Sequence, residues 1–89
     1  MRTIHKQIIG SGPGLTFLRL PASARILTAQ IQGNKIAVWY EFEQEQLDNL
    51  ENRAVAVTGT GWGFDDGMNY IATVQDGALV WHVYEALKG

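Results

Sequence analysis

Apolar residues alternate with polar or mixed ones on both sides of a Gly33-Asn34 pair, from Arg25 to Glu43, and this pattern limits the segment to a β-hairpin. With Gly33 and Asn34 as a two-residue loop, Gln32 faces Lys35, Ile31 faces Ile36, Ala29 faces Val38 and Leu27 faces Tyr40. The last three pairs are apolar on both sides and share one face. The opposite face pairs Gln30 with Ala37, Thr28 with Trp39 and Ile26 with Glu41, and is mixed. A slip of one residue would destroy the match, so the register is specified.

Asn69–Glu85 repeats the arrangement around Asp76-Gly77. Pairing across that loop sets Val74 against Leu79, Ala72 against Trp81 and Tyr70 against Val83, which makes a second apolar face. The reverse face pairs Thr73 with Val80, Ile71 with His82 and Asn69 with Tyr84, too apolar to be merely solvated. Arg2–Ile9 and Leu15–Leu20 read as two further strands, parted by Gly10-Ser11-Gly12-Pro13-Gly14 and ended by Pro21. Ala54–Thr60 reads as a short strand of small and β-branched residues. Gln44–Asn52 is polar, with Leu47 and Leu50 three apart, and suits a short helix or an acidic loop. The expected fold is all-β with at most one short helix: a small antiparallel β-sandwich or barrel of six or seven strands, one domain over residues 1–89.

The 89 residues leave no room for a second core. A domain of this size buries only about 60–68 % of its unfolded surface, so small scaffolds use staples. Cysteine is absent, which removes disulfides, thiolate metal sites and a cysteine nucleophile together. Self-association is the staple that remains, and a homo-oligomer is expected. The charged fraction of 18 % leaves much neutral surface, in keeping with that.

Net charge is −2, and the seven Lys and Arg are scattered singly from Arg2 to Lys88, which argues against nucleic acid as a partner. No apolar run is long enough to span a bilayer, and Met1–Gly10 lacks the apolar stretch of a signal peptide. The expectation is a cytoplasmic protein of a bacterial cell, with no membrane partner.

The most unusual stretch is Gly59-Thr60-Gly61-Trp62-Gly63-Phe64-Asp65-Asp66-Gly67. Its glycines allow close approach of a ligand to the backbone, Trp62 and Phe64 offer stacking faces, and Asp65 and Asp66 accept hydrogen bonds. Gly59, Thr60, Gly61, Trp62, Phe64 and Asp65, together with His82, are therefore the candidate ligand-binding residues. Arg25, Arg53 or Lys35 would supply positive charge if the ligand were anionic. The competing reading is a long connection whose two aromatics plug the end of the sandwich. The stretch leads into a strand and no Lys follows it, so it is neither a dinucleotide fingerprint nor a phosphate loop.

Catalytic patterns are missing. Ser11 and Ser23 sit in flexible or turn positions with no nucleophile-elbow motif around them. His5 and His82 have no neighbouring ligands at metal spacing, and His82 reads as a hydrogen-bonded structural histidine. Glu41, Glu43 and Glu45 alternate along a strand and read as a solvated sheet edge. No catalytic residue, metal or cofactor is expected.

Several short sequences run in one order over nearly the whole chain: Met1-Arg2-Thr3-Ile4 with Lys6; Pro21 followed by Ala24-Arg25-Ile26-Leu27 and Gln30; Val38-Trp39; Gly59-Thr60-Gly61; and Tyr70 with Thr73-Val74-Gln75 and Val80-Trp81-His82-Val83-Tyr84-Glu85. In these the chain resembles a family of small bacteriophage and prophage proteins. The family continues the glycine motif with His-Pro where this chain has Trp62-Gly63, so no role of a histidine there carries over. The family has no assigned activity. The resemblance implies a phage setting, and with it an accessory protein that binds a host protein or sequesters a small nucleotide. A self-assembling structural module is the alternative, and an enzyme with a site built between chains from His82, Asp65 or Tyr84 ranks below both.

Overall fold

The computed structural model describes residues 1–86. Seven strands follow one another along the chain: β1 (Arg2–Gly10), β2 (Gly14–Pro21), β3 (Arg25–Gln32), β4 (Lys35–Glu43), β5 (Leu50–Gly59), β6 (Met68–Asp76) and β7 (Leu79–Ala86). The polar stretch after β4 holds one turn of 3-10 helix, Gln44–Gln46. β5 starts earlier than the sequence suggested, because Leu50–Arg53 pairs with the end of β2.

The strands form two antiparallel sheets, a three-stranded one in the order β1-β4-β3 and a four-stranded one in the order β2-β5-β7-β6. Their facing sides make one core. Ala29, Ile36, Val38, Tyr40 and Phe42 come from the first sheet, and Leu18, Leu20, Val55, Val57, Val74, Trp81 and Val83 from the second. The free edges of β3 and β6 run side by side without a hydrogen-bond ladder, so the molecule is a flattened sandwich.

The Gly33-Asn34 loop closes β3 onto β4 as expected, with Gln32, Ile31, Gln30, Ala29 and Thr28 opposite Lys35, Ile36, Ala37, Val38 and Trp39. Beyond Thr28 a bulge inserts Leu27 and shifts the register. Ile26, not Leu27, therefore faces Tyr40 and packs on the core, and Arg25 faces Glu41. β4 is the central strand of its sheet, so Glu41 and Glu43 do not form a bare edge. They lie on the outer face in ion pairs with Arg2, and Glu41 also with Arg25.

In the second hairpin the loop is Gly77-Ala78, one residue later than Asp76-Gly77, and Asp76 pairs with Leu79. A glycine at φ +61 followed by a residue at negative φ suits a two-residue turn with glycine first. Val74 consequently faces Trp81 and Ala72 faces Val83, while Leu79 is exposed. A bulge at Ile71 then reverses the facing of the residues before it. Tyr70 pairs with Tyr84 on the outer side instead of entering the core.

Candidate functional site

β5 and β6 both run antiparallel to β7 and flank it, so they are parallel to each other and no hairpin can join them. β5 ends opposite Trp81 and β6 begins opposite Ala86. Residues 60–67 therefore traverse the length of β7. This connection is the glycine-rich stretch, and its composition follows from the crossing.

The crossing begins with a tight turn in which the Trp62 amide donates to the Gly59 carbonyl at 3.2 Å. Gly61 holds φ +84 at the third position of that turn, a conformation that favours glycine. Trp62 folds back onto the Gly59 backbone, and a Cβ at residue 59 would stand 2.8 Å from the Trp62 ring. Its ring meets Trp81 edge to face, with centroids 5.9 Å apart at 74°. Trp62 thus packs against Trp81 at the end of the sandwich while staying 55 % exposed.

Phe64 does something different. It lies on Tyr84 with centroids 4.6 Å apart, and Tyr84 meets Tyr70 edge to face at 5.5 Å. Val83 is fully buried, so alternation turns Tyr84 and His82 outward. His82 joins a chain of hydroxyls on that outer face. Its Nε2 lies 2.8 Å from Thr60 Oγ1 and its Nδ1 lies 3.0 Å from Thr73 Oγ1, which in turn lies 2.8 Å from the Tyr70 hydroxyl. A neutral imidazole has one donor and one acceptor, and hydroxyls serve either role. Neither ring nitrogen bonds a carboxylate.

The seven candidate residues therefore separate. Thr60 and His82 are bonded to each other, Gly59 and Trp62 are in contact, and Gly61 shapes the turn between them. Phe64 adds Tyr84 to the group, while Asp65 is exposed on the loop. Tyr70 and Thr73 complete the outer cluster. The one-residue shift of the hairpin and the bulge at Ile71 had hidden them, because pairing from Asp76-Gly77 opposes Ile71 to His82. His5 lies on the other sheet, edge-on to Phe42 at 4.9 Å, so the two histidines do not form one site.

Of the three cations considered for an anionic ligand, Arg53 is committed elsewhere: it bonds Glu85, lies 3.5 Å from Glu51, and donates to the Ala24 carbonyl at 2.9 Å. Arg25 and Lys35 lie on the other sheet. On the outer face of the four-stranded sheet an aromatic and aliphatic row, Leu15–Ala56–Tyr84–Tyr70, crosses all four strands. Phe17, 70 % exposed, stands beside Ala54 in the next row.

No helix among the described residues is long and apolar enough to cross a membrane. No curated protein and no solved structure matches the chain. A family model, described as a domain of unknown function (DUF7352), matches residues 1–89. The chain belongs to that family.

Proposed function

We propose that this protein is a non-catalytic accessory binding protein of a bacteriophage or prophage, working in the host cytoplasm as a homo-oligomer. Its recognition surface is the outer face of the four-stranded sheet where residues 60–67 cross β7. The observation that carries this reading is the exposure there of aromatic side chains, with Phe64 half exposed and Tyr70 58 % exposed around a fixed Thr60–His82–Thr73–Tyr70 chain. Exposed aromatics with hydroxyls at their rim are the composition of interface hot spots and of base-stacking platforms. Imidazole held by two hydroxyls lacks the carboxylate that supports a histidine base in a triad, which favours binding over catalysis.

A host protein fits this face better than a nucleotide does, because the face is open and no unpaired cation among the described residues borders the crossing loop. Native mass spectrometry of the protein purified from infected cells tests the reading. The expected result is a co-purifying host protein, or a nucleotide, that is lost when Phe64 and Tyr70 are both replaced by Ala. Retention of the partner by that double variant would put recognition elsewhere.

A second reading has its own observation. Phe17 is a large exposed knob next to the small residues Ala54 and Ala56, a self-complementary arrangement that suits a structural, self-assembling module. A bare oligomer, with no partner under any condition, would favour it.

A further inference from the structure

The indole N–H of Trp81 is buried and has no hydrogen-bond acceptor among the described residues. Folded proteins leave few such donors unpaired, and each calls for an explanation. Trp81 is only 7 % exposed, yet it lines a cleft of about 340 Å³ at the end of the four-stranded sheet, with Gly59, Thr60, Trp62, Leu79 and Val80. That volume is at the lower end of small-molecule sites, about 300–1,000 Å³. The lining consists of aliphatic side chains, glycine backbone, one hydroxyl and two indoles, with no charged group among the described residues. The formal charges on the adjoining loop, Asp65 and Asp66, are negative.

Trp62 forms one wall of this cleft. It is 55 % exposed, and it seats on the backbone of Gly59, where a Cβ would displace it. Its edge-to-face contact with Trp81 is the one ring contact it makes among the described residues.

We propose that the cleft binds a neutral, planar heteroaromatic molecule of the nucleobase class, whose ring carbonyl or ring nitrogen accepts the Trp81 indole N–H while Trp62 moves aside and stacks on it. The donor sets the need for an acceptor, the paired indoles set the planarity, and the uncharged lining offers a phosphate no ion pair. The cleft adjoins the outer sheet face and shares Thr60 with it, so the proposal rests on the small-ligand side of the proposed function.

The test uses the full-length chain labelled with nitrogen-15, in which Trp39, Trp62 and Trp81 each give an indole N–H resonance assignable through Trp39→Phe and Trp62→Phe. The probes are adenosine, guanosine, cytidine and uridine, each also as its 5′-monophosphate. At least one nucleoside should move the Trp81 indole proton downfield saturably, and its monophosphate should bind no more tightly. Trp81→Phe should weaken that binding by about tenfold, the loss of one hydrogen bond. The proposal is overturned if none of the eight probes moves the Trp81 resonance, or if a folded Trp81→Phe binds as well as the parent. It is also overturned if shifts are confined to His82, Tyr84 and Phe64, an outcome that would leave the outer-face reading standing.

Discussion

Arg53 on β5 donates through Nε to the carboxylate of Glu85 on β7, and both side chains are largely withdrawn from water, at 12 % and 15 % exposure. The same guanidinium donates through Nη1 to the Ala24 carbonyl, in the turn between β2 and β3. One side chain therefore ties two strands of the larger sheet to the turn that leads into the smaller one. Removing one partner of a buried pair leaves the other charge uncompensated, at a cost of about 3–5 kcal/mol. Arg53→Ala is expected to lose about 3 kcal/mol in urea unfolding, near the low end because the pair is not fully buried. A loss below about 1 kcal/mol would mean that water takes over these contacts.

Burial raises the Tyr40 hydroxyl above its usual value near 10. The folded chain then holds that proton more firmly than the unfolded chain does. The contribution is whole below about pH 10 and is lost as pH rises through the unfolded value towards the folded one. Tyr40→Phe should remove this part of the alkaline decline and move the alkaline unfolding midpoint upward. Circular dichroism followed against pH reads the midpoint, and an unchanged midpoint would count against the assignment.

Gly33 holds φ +64 in the first hairpin loop, where a Cβ has free space but an unfavourable backbone. Gly33→Ala should cost about 1–2 kcal/mol, the penalty of a left-handed conformation for an L residue. Gly63 on the crossing loop carries no such restriction and has open space around it, so Gly63→Ala should stay within about 0.5 kcal/mol of the parent. Equal losses at both positions would contradict the turn geometry.

Light scattering at micromolar concentration should return a mass of at least twice 9.9 kDa. Phe17→Asp places a charge on the most exposed aromatic of the outer sheet face and is expected to give monomers that keep the parent circular dichroism spectrum. A monomeric parent protein would sink the oligomer reading, and an oligomer that survives Phe17→Asp would locate the interface on another surface.

The strands, the two hairpins and most of the core were legible in the chain itself. Alternation with a period of two is a local property, and Ala29, Ile36, Val38 and Tyr40 share a buried face because each neighbour in the pattern already points that way. The first turn was also visible as Gly33-Asn34, since a positive φ restricts the residue types that can occupy it, whereas the second closes at Gly77-Ala78, one residue beyond the expected Asp76-Gly77. What lay beyond the chain was register past a bulge. Nothing in the order of residues marks Leu27 or Ile71 as the extra residue; each is apolar and suits either face, and only packing between the sheets selects which neighbour enters the core. Those two choices decided that Ile26 is inside and Tyr70 outside. The site depended on tertiary structure in the same way. Gly59, Thr60, Gly61, Trp62 and Phe64 announced a special loop, but its course along β7 follows from β5 and β6 being parallel with β7 between them, a long-range pairing. That course put Thr60 and Thr73 on the two nitrogens of His82 and seated Trp62 over Trp81, contacts between residues far apart in sequence that only the assembled sheet brings within hydrogen-bond and van der Waals range.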